Sequence, residues 1–218
     1  MRIGILVSGR GSNLEAILRA VDDRRLPRIM PVLVLSNRPG VRALEVASRH
    51  RVPARVLRRR DFADAEARDA ALGAELAAAG ADLAMLAGYD QLLRPTFFAA
   101  FRRRVINIHP SLLPRHGGPG MTGMAVHASV LAAGDAETGV TIHEVTDQLD
   151  AGPVLAQVRI GVRAGESAER LARRVLAEEH RTLVRVLADL SAATTSAESS
   201  GSMTRASAPR TADGAKAR

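Results

Sequence analysis

Cysteine and tryptophan are absent from the 218-residue chain, tyrosine occurs once and phenylalanine four times. Without cysteine there is no thiol nucleophile, no Cys-ligated zinc and no disulfide, a composition that suits a cytoplasmic enzyme. Aromatics at 2% leave almost no stacking platforms for a single-stranded nucleic acid. Lysine is nearly missing too. Lys216 is the only one and it lies near the C-terminus, so the folded body offers no Schiff-base lysine. No apolar run reaches membrane-spanning length, and neither a membrane segment nor a signal peptide is expected, since strand-like sequence begins at residue 2.

What is there is 46% hydrophobic residues, enough for one sizeable core, and a formal charge of +8 carried almost wholly by arginine. Arginine runs at 58–60 and 102–104 flank strand-like segments in turn positions. With so few aromatics they read as solvated surface and not as a nucleic-acid site, although a modest positive field favours anionic substrates.

Apolar runs at 2–8, 30–36, 52–57, 82–87 and 105–109 alternate with helical spacing at 14–21, 41–50 and 63–79, and Pro95 sits where a helix opens. That alternation predicts an α/β fold: a Rossmann-like, open, mostly parallel twisted sheet with helices on both faces. Residues 139–145 and 154–162 read as a pair of longer strands, and 165–190 as one long amphipathic helix. From 191 to 218 apolar periodicity stops. The expected organisation is one catalytic domain over 1–190 and a low-complexity, disordered tail over 191–218.

Three segments carry candidate chemistry. Ser8-Gly9-Arg10-Gly11-Ser12-Asn13 follows a strand and opens a helix, where free N–H groups and a positive dipole await an anion. It lacks the third glycine of a dinucleotide fingerprint, Asn37 stands where that motif wants an acid, and no Gly-Lys-Ser/Thr follows, so a single phosphate monoester fits best. The bland alternative is a tight turn with Ser12 as the helix cap. In Val105-Ile106-Asn107-Ile108-His109-Pro110, strand period places Asn107 and His109 on one face. An amide and an imidazole there can hold an oxyanion and manage a proton, or can merely satisfy buried backbone groups. The polar turn Thr146-Asp147-Gln148-Leu149-Asp150 offers a carboxylate that orients a histidine, or is an ordinary acidic turn. The six histidines lack the spacing of a zinc site, and residues 117–124, rich in Gly and Met, read as a mobile loop.

Taken together with Leu86-Ala87-Gly88-Tyr89, Asn107-Ile108-His109-Pro110-Ser111-Leu112-Leu113-Pro114 and Asp147-Gln148-Leu149-Asp150-Ala151-Gly152-Pro153, the chain resembles the phosphoribosylglycinamide formyltransferases over about residues 1–190. The resemblance implies transfer of a formyl group from 10-formyltetrahydrofolate to the amine of glycinamide ribonucleotide, in purine biosynthesis, with no metal. It implies Asn107, His109 and Asp150 as catalytic residues. Gly11, Ser12, Asn13 and Glu179 would bind the ribonucleotide. Asp90, Gln91, Leu92 and Leu93 would line the folate pocket, together with Asn107, Thr146, Asp147, Gln148, Leu149 and Asp150. Where that family often carries a folate-reaching arginine, Ala65 stands here, with Arg68 one turn on as the substitute, and the 117–124 loop is longer than in the commoner form. A monomer or homodimer acting on small molecules is expected, without nucleic acid or membrane. Formyltetrahydrofolate hydrolases, methionyl-tRNA formyltransferases and a non-catalytic nucleotide-phosphate binding module are the competing readings.

Overall fold

Alternation along the first strand decides which helices cover which face. In β1 (Arg2–Val7) the side chains of Ile3, Ile5 and Val7 enter one buried cluster and Leu6 enters another. The computed structural model describes the backbone of residues 1–202 and the side chains of residues 1–193. After β1 come α1 (Ser12–Asp22), β2 (Met30–Ser36), α2 (Arg42–Arg49), β3 (Ala54–Val56), α3 (Ala65–Ala78), β4 (Leu83–Leu86), α4 (Pro95–Ala100) and β5 (Arg104–His109). The chain continues through α5 (Met124–Ala132), β6 (Glu137–Glu144), β7 (Val154–Gly161) and α6 (Ala168–Ser202).

The strands form one seven-stranded sheet in the order β3-β2-β1-β4-β5-β6-β7, parallel from β3 to β5 and antiparallel across β5–β6 and β6–β7. Leu14, Ile17, Val46, Val130, Leu171 and Leu183 bring α1, α2, α5 and α6 onto one face. Leu72, Leu76, Phe97 and Phe101 bring α3 and α4 onto the other. The α3–α4 approach is close: a Cβ added at Gly73 would lie 2.6 Å from the carbonyl oxygen of Phe97. Strand order reverses at β1, whose neighbours are β2 and β4, and this opens a crevice outside the carboxyl ends of β1 and β4.

The expected α/β architecture and its mostly parallel sheet are observed. Helix α3 is capped by Asp64, whose Oδ1 accepts from the Ala67 amide at 2.7 Å. Two expectations need correction. The long helix begins at Ala168, not 165, because Gly165 has φ +67°, and it does not stop at 190 but runs to Ser202. The polar stretch after 190 lacks an apolar stripe, yet it contains no helix breaker before Gly201, and Ser191 is buried. The rest of the tail, 203–218, lies outside the described residues. The second correction is α5, an unanticipated helix that starts at the last residue of the expected 117–124 loop.

Candidate active site

The loop after β1 turns into α1 through Gly11, the residue before the helix, at φ +72°. A Cβ there would sit 2.7 Å from Cα of Ala43, so the turn itself demands glycine. No side chain caps the helix, and Ser12 is its first residue, which removes the reading of Ser12 as cap. The first amides of α1 therefore face the crevice without a side-chain acceptor. At Gly9 an added Cβ would meet nothing within 4 Å. Gly9, Arg10, Gly11, Ser12 and Asn13 all line one 780 Å³ cavity.

Glu179 reaches the same cavity from α6. It is buried, and Asn13 Nδ2 donates to its Oε1 at 3.2 Å. Burial pushes its carboxyl up to about 7, against the opposing pull of the Asn13 hydrogen bond and the Arg10 charge. A group of that kind holds or releases a proton near neutrality as its neighbours change.

Asn107, His109 and Asp150 line the same cavity. Nδ1 of His109 lies 3.8 Å from Oδ2 of Asp150, an ion-pair separation longer than a hydrogen bond. The other ring nitrogen, Nε2, is 2.8 Å from the carbonyl oxygen of His116. A carbonyl only accepts, so Nε2 carries a proton and Nδ1 is the nitrogen turned to the carboxylate. Asp150 sits in a left-handed turn at φ +53° and accepts from the Gly118 amide at 2.8 Å.

Sequence reading missed His143. It stands opposite Asn107 in the β5–β6 register, and Asn107 Nδ2 is 3.2 Å from its Nε2. His143 Nδ1 donates to the Glu144 carbonyl at 2.8 Å. Its Nε2 also lies 3.6 Å from Asp150 Oδ1, which favours the charged ring, but burial outweighs this and holds the ring pKa below its ordinary value. Neutral His143 thus offers a lone pair at Nε2, accepts from Asn107, and leaves the second Nδ2–H of that amide for another acceptor. His127, on α5, also lines the cavity, and its pKa is lowered by burial first and by the nearby His109 second. The signal for both residues lay in strand register and in a helix hidden behind glycines, not in motif spacing.

The cavity is also lined by Asp90, Gln91, Leu92 and Leu93 after β4, and by Thr146, Gln148 and Leu149 from the turn before β7. Asp147 is exposed and does not line it. Asp90 is tied down by Asn37 Nδ2 at 2.9 Å, by an ion pair with Arg38, and by its amide donating to the Ser8 hydroxyl at 3.0 Å. This links the loop after β1 to the segment after β4. Arg68 does not enter the cavity. It is buried behind it, paired with Asp69 at 2.6 Å and with the Gln91 side chain. Ala65 does not line the cavity either. Among the described residues no cluster of His, Asp and Glu could hold a metal ion, and no helix is long and apolar enough to cross a membrane.

Residues 1–187 match the family described as formyl transferase. The chain belongs to the formyl transferase family. Among its formyl transferase relatives is the phosphoribosylglycinamide formyltransferase of Escherichia coli (strain K12), 37% identical over 180 residues, which cover 83% of this chain and 82% of that one. A trifunctional purine biosynthetic protein, adenosine-3 of Drosophila melanogaster, is 37% identical over 190 residues. The match covers 87% of this chain but spans only 14% of the length of the Drosophila protein. In structure, the chain is similar to glycinamide ribonucleotide transformylase 1 from Symbiobacterium toebii, with a TM-score of 0.83, 38% identity and 88% of each chain covered.

Proposed function

We propose that this formyl transferase moves the formyl group of 10-formyltetrahydrofolate onto the amine of 5'-phosphoribosylglycinamide, giving the N-formyl product and tetrahydrofolate. The observation that carries the reading is that one cavity is lined by the uncapped start of α1, by Asn107, His109 and Asp150, and by the segment 90–93. An anion site, a polar reaction centre and a part-apolar lining share that cavity, as a phosphorylated amine and a folate require. The names of the E. coli and S. toebii relatives support formyl transfer to the same ribonucleotide. Residues 1–190 form the catalytic unit, at work in the cytoplasm as a monomer or homodimer.

In the proposed reaction the amine nitrogen attacks the formyl carbon and the carbonyl electron pair moves to oxygen. The second Nδ2–H of Asn107 donates to that oxyanion, and a protonated His109 adds positive charge beside it. Asp150, through an ordered water, passes the proton lost by the attacking nitrogen to the folate nitrogen. The bond from that nitrogen to the formyl carbon then breaks. Gly11, Ser12 and Asn13 hold the phosphate and Glu179 the ribose, while 90–93 with Thr146, Gln148, Leu149 and Asp150 hold the folate.

The test is incubation with glycinamide ribonucleotide and 10-formyltetrahydrofolate, following both products. Formylated ribonucleotide and tetrahydrofolate should appear in equal amounts. Formate release without formylated ribonucleotide would place the chain with the hydrolases instead.

A further inference from the structure

His116 does not line the 780 Å³ cavity, yet its backbone segment touches His109 and Asp150, two residues that do. The His116 carbonyl accepts from His109 Nε2 at 2.8 Å, and the Gly118 amide donates to Asp150 Oδ2 at 2.8 Å. Gly117 between them is wedged: a Cβ there would lie 2.5 Å from Leu113 Cδ2 and 3.4 Å from Cβ of Asp150. Three consecutive residues thus present a carbonyl to one catalytic group and an amide to another.

Two of those three residues are glycines, and Gly120 and Gly123 follow with positive φ. Glycine permits many backbone paths and selects none. Within this segment only His116 has a side chain to anchor it, and it is anchored twice. Its Nε2 is 2.8 Å from Asp135 Oδ2, after α5, and its Nδ1 is 2.8 Å from the Ser129 hydroxyl on α5. The Asp135 carboxylate, which also pairs with Arg115, is held below the usual carboxylate range, first by the His116 hydrogen bond. His116 itself is kept at φ +54°, where a non-glycine residue needs such support.

We propose that His116, pegged to Asp135 and Ser129, is a positioning residue that fixes the orientation of the His109 ring and the placement of Asp150. It touches no substrate and acts through its own main chain. Without the peg the glycine-rich segment relaxes, the carbonyl leaves Nε2, and the His109 ring is free to turn. The inference rests on the catalytic reading of His109 and Asp150, and its test separates the two.

The experiment is steady-state kinetics of the whole chain with glycinamide ribonucleotide and 10-formyltetrahydrofolate, beside ¹⁵N spectra of histidine-labelled protein. His116→Phe keeps the ring volume and removes both nitrogens. Its kcat should fall about 10- to 100-fold, as for a small misplacement of a catalytic group, while KM for each substrate stays within about threefold. The His109 Nε2–H signal should lose the shift of a hydrogen-bonded ring nitrogen. Asp135→Ala should reproduce both effects from the other side of the peg, whether or not His116→Phe folds. Asp135→Asn, which retains an oxygen acceptor, should restore kcat to within about threefold of wild type. A folded His116→Phe or Asp135→Ala with wild-type kcat, or with an unchanged His109 signature, overturns the proposal. If His109→Ala were fully active, the catalytic reading would fall alone, and the ring signature would still decide whether His116 sets His109.

Discussion

Asn107 and His143 face each other across the β5–β6 pair, with the amide Nδ2 3.2 Å from the ring Nε2. The ring is neutral and its other nitrogen is held by the Glu144 carbonyl, so the contact orients the amide with its second hydrogen free. His143→Ala removes that restraint without touching the formyl group. Turnover should fall about 10-fold, in the range expected for small losses of alignment, with both KM values little changed. An equal loss in kcat/KM for folate with kcat intact would instead mark His143 as a folate contact.

Glu179 supplies a pH prediction. Its carboxyl lies at about 7 in the folded chain, against 4.5 for the free group. The folded state therefore binds the extra proton between those values, and stability from this group is full below pH 4.5 and lost as pH rises through 7. Glu179→Gln removes that loss. The unfolding free energies of wild type and Glu179→Gln should converge near pH 5 and separate by pH 8, with the glutamine variant more stable by a margin on the order of 3 kcal/mol. A gap independent of pH would show that Glu179 ionises as freely in the fold as in the open chain. The same variant should bind glycinamide ribonucleotide more weakly, because an amide replaces the carboxylate proposed for the ribose.

Two glycines of the first loop should behave differently. At Gly11 any side chain collides with Ala43, whereas at Gly9 a Cβ meets only open space. Gly9→Ala should leave the melting temperature unchanged and raise KM for the ribonucleotide with little effect on folate. Gly11→Ala should lower stability as well, since it forces both a clash and a left-handed backbone. If Gly9→Ala raised KM for folate and spared the ribonucleotide, the two substrates would occupy the opposite ends.

Much of this site could be read before any coordinates. Alternation of strands and helices implied the parallel sheet, and period two put Asn107 and His109 on one face. What escaped depends on contacts between distant segments. His143 is adjacent to Asn107 only because β6 returns antiparallel in that register. His116 and His127 were concealed by the glycines before α5, a helix with too even a spread of apolar residues to show a stripe. Arg68 stands in the resemblance as the substitute for an arginine that reaches folate. Its neighbour Asp69 draws it into the interior, where it supports Gln91 from behind.

That burial makes Arg68 a test of the folate end. Arg68→Ala leaves Asp69 with Arg94 alone, whose amide is 3.0 Å away, and leaves Gln91 without its partner. Breaking a buried pair from one side costs about 3 kcal/mol at the low end of its range. Urea denaturation should register that loss. KM for 10-formyltetrahydrofolate should rise while KM for the ribonucleotide holds, because the disturbance is confined to 90–94. Equal effects on both substrates would mean that Arg68 supports the fold in general and not the folate segment.

The central claim is that Asn107 stabilises a developing oxyanion, and saturating turnover of Asn107→Ala beside its thermal melt tests it most directly. The account predicts an unchanged melt and a kcat lower by about 100- to 1000-fold, the usual cost of one lost oxyanion donor. A normal melt with kcat within about threefold of wild type would contradict it, since so small a change is far below that cost.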